Sequence, residues 1–193
     1  MSNFWSVKES EPKREHRWIM NIGGIPQCLV KKVSKPSITV SESKHVLLNH
    51  AFYYPGVVDY EKTSVTLVDP VHPDATAMMW NVLFQSGYGL PDNPDDKVTM
   101  NKESLVGALG NVTISQLAGD GTIVEEFMFL NPWIAGIKFG ELDYESDNLV
   151  NLTLDLRYDF VKFTRIADNE WQDISGGGAE GSDTPDTALN DVR

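Results

Sequence analysis

A chain of 193 residues, 41% of them hydrophobic, suits one domain with its own core, and no apolar run is long enough to cross a membrane. Its formal charge of −12, from 16 basic and 28 acidic residues, argues against a fold that grips nucleic acid by its phosphates. The single cysteine, Cys28, leaves no disulfide framework and fits a reducing cytoplasm; beside Leu29 and Val30 it reads as a small buried hydrophobe.

In chain order, residues 1–16 read as an N-terminal arm, and "MSNFWSVKESEPKREHRW" has no apolar core of the kind a secretory signal needs. "HRWIMNIGGIPQCLVKKV" predicts a hairpin, with a strand to Ile22, a turn at Gly23-Gly24 and a strand from Ile25 to about Val33. "SITVSESKHVLLNHAFYYPGVVDYEKTSVTLVDP" follows as two β-prone limbs with a long connection between them. "HPDATAMMWNVLFQSG" has the helical period: Ala75, Met78, Met79, Val82 and Leu83 form one stripe, Asp74 is a suitable N-cap, and Gly87 marks the stop. The helix is therefore expected over about 74–86. "YGLPDNPDDKVTMNKESL", broken by Pro91 and Pro94, reads as a loop.

"NVTISQLAGDGTIVEEFMFL" predicts a second hairpin turning at Asp120-Gly121. A connection with a short strand, "NPWIAGIKFGELDYESDN", leads to the last strand, "NLTLDLRYDF". There Leu152, Leu154, Leu156, Tyr158 and Phe160 share one face, while Asn151, Thr153, Asp155, Arg157 and Asp159 share the other. Residues 168–193 hold seven of the 28 acids and one of the 16 bases, which leaves −6 for residues 1–167. This Gly/Ser-rich stretch has little to bury and reads as a flexible acidic tail, so the domain is expected over 17–167. The sum is roughly seven antiparallel strands with one flanking helix: a mainly β sandwich or barrel.

Catalytic and metal signatures are missing. His16, His45, His50 and His72 are scattered, with no H-E-x-x-H or C-x-x-C. "FQSGYG" puts Phe84 where a nucleophile elbow needs glycine. An EF-hand loop from Asp143 fails at Asn148 and Leu154, so "GELDYESDN" reads as a solvated acidic strand edge and turn. No enzyme, cofactor or metal follows from the residues.

Two features fit a lone domain badly. Val46, Leu47, Leu48, Phe52, Tyr53 and Tyr54 crowd a connection that normally carries polar residues, which invites a partner. Several strands also have one polar face of small side chains: Ser64 and Thr66, Thr113 and Ser115, Asn151 and Thr153.

From about residue 17 to 165 the chain resembles the tail tube proteins of contractile-tailed bacteriophages, most clearly from Ile114 to Phe160. A Glu/Phe-rich strand, "TIVEEFMFL", runs into "NPWIAG", then the acidic turn "GELDYESDN", then an alternating strand ending in "YDF". The long hairpin and the helix after "TLVDPVHPDA" fall in matching order. The acidic C-terminal extension and the insert over 88–110 depart from the pattern.

The resemblance implies six copies closing into a ring with a continuous inner β-barrel, and rings stacking into a hollow tube inside a contractile sheath. It implies that Val46, Leu47, Leu48, Phe52, Tyr53 and Tyr54 form the ring-stacking hairpin. Ser64, Thr66, Thr113 and Ser115 become candidate lumen-facing residues. Implied partners are further copies of the chain, the tail sheath protein, and baseplate and neck or terminator proteins. Viral DNA would pass through without specific binding, since duplex DNA carries about one charge per 1.7 Å and a basic lumen would trap it. No membrane partner is implied; the site of action would be the virion tail, assembled in the host cytoplasm. Alternatives are the tube of a type VI secretion-like machine, a tube-like baseplate or neck ring, or an unrelated β-sandwich binding module or enzyme.

Overall fold

In the computed structural model, which describes residues 12–90, 99–167 and 170–173, the core is set by two neighbouring strands. These are β5 (Thr63–Val68) and β9 (Asn151–Arg157), whose alternation turns Val65, Leu67, Leu152, Leu154 and Leu156 inward with no solvent exposure. Flanked by β2 (Val30–Val33) and β8 (Trp133–Lys138), they form a four-stranded sheet in the order β2-β5-β9-β8. A five-stranded sheet lies against it: β1 (Trp18–Ile22), β6 (Val112–Leu117), β7 (Ile123–Leu130), β10 (Phe160–Ala167) and β11 (Glu170–Asp173), in the order β1-β6-β7-β10-β11. Its Met20, Ile22, Val112, Ile114 and Phe129 join the same buried cluster. Every pairing is antiparallel. The expected sandwich is observed.

A third sheet stands apart from this core. Strands β3 (Ile38–Leu47) and β4 (His50–Tyr60) pair only with each other.

Helix α1 (Ala75–Gln85) begins where expected. Asp74 Oδ1 accepts from Ala77 N at 2.8 Å, and Asp69 accepts from Ala75 N and Thr76 N. Ala75 and Met79 are buried, with Met78 and Val82 packed beside them, so the stripe faces the core.

Five expectations need correction. The stretch ending the 88–105 loop is helical: α2 (Lys102–Leu109) is capped by Asn101, which accepts from Ser104 N at 2.8 Å, and Leu109 is buried. There are thus two flanking helices, and eleven strands among the described residues. The first hairpin does not form. Only an Ile22–Ile25 bridge survives, while β1 pairs with β6 and β2 with β5, so the glycines hand the chain from one sheet to the other. Of the two, Gly24 has the positive φ of 76°; Gly23 is needed because a Cβ would lie 2.5 Å from the Leu109 carbonyl oxygen. Cys28 is exposed on a 3-10 turn, Gln27–Leu29, and Leu29 is the residue that turns inward.

"NLTLDLRYDF" is not one strand. The chain crosses between sheets at Tyr158-Asp159, which resets the alternation; Tyr158 is buried but Phe160 is 45% exposed. Lastly, β11 carries ordered pairing to Asp173, past the boundary at 167. The rest of the expected tail, residues 174–193, the first eleven residues of the arm, and residues 91–98 of the 88–110 insert lie outside the described residues.

Candidate assembly surface

No residue of β3 or β4 is buried; only Ala51 and Tyr60 are half-covered. At about 3.3 Å per residue, the eleven residues of β4 span roughly 35 Å. An isolated two-stranded hairpin is marginal in water, and this one has no packed face along its length. Its six singled-out apolar residues all stand exposed, from Phe52 at 44% to Leu48 at 92%. They do not occupy a long connection, as expected, but the last turns of a continuous hairpin. Leu47 pairs with His50, and Leu48-Asn49 is the whole turn.

Leu48 has φ 55°, in the left-handed region, where a leucine costs about 1–2 kcal/mol relative to the right-handed one. A strained and almost naked leucine at a tip points to a job for its side chain. Midway, the register shifts between Val40 and Glu42, and the Ser41 hydroxyl accepts from Val57 N at 2.8 Å. Gly56 lies opposite, where a Cβ would come 2.4 Å from Ser41 Oγ. This bulge re-aims the tip relative to the base.

The four polar residues singled out for a lumen fall on two faces. Ser64 and Thr66 are half-buried on the outer face of the four-stranded sheet, since Thr63, Val65 and Leu67 point inward. Thr113 is half-buried and Ser115 is buried on the outer face of the five-stranded sheet, where the Ser115 hydroxyl donates to Glu126 at 3.0 Å. The outer faces of a sandwich look in opposite directions, so one straight channel can be lined by one of these pairs but not both. The faces also differ in charge. Among the described side chains, Lys32, Lys138 and Arg157 share the four-stranded sheet's outer face with Asp155, Arg157 being paired with Asp59 at 3.1 Å, whereas Glu126 and Lys162 face outward on the other.

Sequence reasoning missed an aromatic ladder on the outer flank of α1. Trp80 stacks on Phe84 and on Phe139, each at 5.9 Å between centroids, and all three are more than a third exposed. The signal was present, because Trp80 and Phe84 are four apart and off the core stripe.

It also missed a buried carboxylate. Glu125 is 5% exposed, bound by Lys13 and, at 2.7 Å, by Lys35. Burial acts to raise its pKa, but the two lysine hydrogen bonds outweigh that and hold the carboxyl below its ordinary 4.5. The bridge ties the chain before β1 and the β2–β3 link to β7. Among the described residues no three His, Cys, Asp or Glu side chains are placed to hold a metal ion, and no helix is long and apolar enough to cross a membrane.

No protein-family model matches the sequence, and no curated protein matches it. Solved structures do match in fold. A chain of the anti-feeding prophage baseplate, solved with six-fold symmetry, superposes with a TM-score of 0.57 at 18% identity, covering 79% of this chain and 95% of its own. A chain of the sheath–tube complex of an extracellular contractile injection system gives 0.54 at 19% identity, covering 86% and 100%. A chain of the anti-feeding prophage tube-terminating cap gives 0.53 at 18%, covering 80% and 91%. At such identities the likeness establishes that this chain has their fold.

Proposed function

We propose that the chain is a tube protein of a contractile tail: six copies close a ring, rings stack through the β3–β4 hairpin, and the stack is the inner tube of a phage. The observation that carries this reading is the hairpin itself, roughly 35 Å of strand without a buried residue, tipped by a strained, exposed Leu48. Such a finger is satisfied only by another molecule, and the fold likeness supplies the kind of assembly. Sheath, baseplate and terminator proteins are the further partners. The tube would be built in the host cytoplasm and act in the virion, with the genome passing through unbound.

For the lumen we favour the outer face of the five-stranded sheet, with Thr113. Its hydroxyls and its Glu126 and Lys162 would let DNA slide, whereas Lys32 and Lys138 on the opposite face, where Arg157 is already paired with Asp59, would hold phosphates. Ser115 would contribute less, being covered in the subunit.

A second reading, a tube or baseplate ring of an injection machine that carries protein, is favoured by that same near-neutral face. Negative-stain images of the purified protein test both readings. Six-fold rings and tubes with a regular axial repeat are expected, and a dispersed monomer at high concentration rejects them. Labelling of purified particles then separates the two: a phage tube sits below a DNA-filled head, an injection tube in a headless particle.

A further inference from the structure

Between the margins formed by β1 and β2 lies a cleft of about 840 Å³. Its rim carries Lys13, Arg14, Lys31, Lys32 and Lys35 against the single acid Glu15, and its floor is Trp18, Val33 and Ile114. Lys13 and Lys35 are held by Glu125 and Lys31 donates to Asn151, yet five cations here meet only Glu15 and Glu125, a cationic patch on a chain of net charge −12. At the opposite margin of the four-stranded sheet, β8 runs into the connection to β9. Residues 139–149 are all exposed there, with Leu142 at 87% and Tyr144 fully so. The connection has four acids and no base, and in "ELDYE" acids alternate with the two apolar side chains.

We propose that the β8–β9 connection of one copy docks into the β1–β2 cleft of the next, with Leu142 and Tyr144 on the apolar floor and Glu141, Asp143 and Glu145 on the basic rim. Charge matches segment to cleft: an exposed acidic connection, turned at Tyr144-Glu145 where Asp143 Oδ1 accepts from Glu145 N at 3.0 Å, presents bare Leu142 and Tyr144 among its acids to a groove with a greasy floor and cationic lips. Topology makes the contact intermolecular and directional. Because β2 and β8 bound opposite edges of one sheet, side-by-side copies present cleft to connection in one sense only, a heterologous contact of the kind that closes rings. No residue of the connection lines the cleft of its own copy, although Lys31 donates to Asn151 at the connection's base at 3.2 Å. This contact deepens the tube reading and rests on it: the hairpin would stack rings, the cleft would close them.

The test uses two full-length variants. One reverses the connection (Glu141→Lys, Asp143→Lys, Glu145→Lys) and the other reverses the cleft (Arg14→Glu, Lys31→Glu, Lys32→Glu). Each alone should raise the concentration needed for ring formation, read by sedimentation and negative stain, by about tenfold or more. An equimolar mixture should restore rings, because alternating copies pair each reversed connection with a reversed cleft. Wild-type rings should also weaken with added salt. If the connection variant assembles like wild type, or the mixture stays dispersed while a chain bearing both reversals assembles, the contact in trans is overturned; the second result places it within one copy. If instead deletion of 174–193 reproduces the cleft variant while the connection variant is neutral, the acidic C-terminal segment is the occupant and the proposal fails. Should the cleft variant not fold by circular dichroism, the connection variant decides alone. A wild type that forms no rings at any concentration rejects the tube reading and this contact together.

Discussion

Strands β4 and β5 are separated by only Glu61 and Lys62, and their fates are opposite. The more apolar of the two, "HAFYYPGVVDY", has no buried residue, while "TSVTLV", half of it hydroxyl-bearing, supplies Val65 and Leu67 to the dry centre of the core. Hydrophobicity therefore did not decide burial; partners did. Between β2 and β9, β5 has a neighbour on each edge and a second sheet over its inner face, whereas β4 has β3 alone. In the proposed tube, an apolar strand left bare is driving force for stacking. Covering a large side chain is worth about 1.5–3 kcal/mol, so six at the tip can offset much of the cost of docking.

The contrast is broken most severely from the core side. Leu154→Ala should cost about 2–5 kcal/mol, lowering the melting temperature by roughly 5–15 °C, while Leu48→Ala moves it within about 0.5 kcal/mol. Equal losses in thermal melts would mean that the tip is packed in the subunit after all. Next, Leu48→Asp with Phe52→Asp should abolish tubes in negative stain while rings or monomers melt as wild type; unchanged tube length would show that the hairpin is not the axial joint.

A smaller effect is expected at the bridge that anchors the sandwich against its arm. Glu125→Gln should cost about 1–2 kcal/mol near neutral pH, discounted because both lysines are half exposed. The folded-state pKa of Glu125 is depressed, so its contribution is complete above the unfolded value near 4.5 and is lost as pH falls through the folded one. Urea titrations at descending pH should show a full gap between wild type and variant above the unfolded value and convergence as pH falls below it; a constant gap would assign the loss to packing. The finest test is Leu48→Gly. Relief of the left-handed strain, partly cancelled by glycine's greater unfolded entropy, should raise stability by no more than about 1 kcal/mol. The same change should weaken stacking, and tubes of full strength would remove any role for the leucine side chain.

The local code was legible wherever a pattern is satisfied by nearest neighbours. Helix α1 could be read to within a residue because Asp74 caps it and its stripe has the helical period. The Asp120-Gly121 hairpin formed as expected, with Gly121 at φ 85° and β6 paired to β7. Failures occur where a long-range choice overrides a local one. Gly23-Gly24 looked like a hairpin turn, but β1 gains more by pairing with β6 along five residues than by folding back on β2. Helix α2 was hidden by Pro91 and Pro94, although the Asn101 cap and Leu105, Val106 and Leu109 were there to find. At the assembly surface the apolar tip was visible as an anomaly of composition. The strain at Leu48, the bulge at Ser41, the division of Ser64 and Thr66 from Thr113 and Ser115, and the cleft facing the acidic connection were not.

By itself, the sequence determined what alternation and caps can dictate: strands with one dry face, one helix start, a hairpin, and too many greasy residues between two limbs. The tertiary structure alone decided which strands share a sheet, which outer face each polar row occupies, and that the greasy limbs stand clear of the core. The physical reason is that strand pairing and face assignment depend on contacts between segments scores of residues apart. Periodicity records only that a face must be covered, not by what.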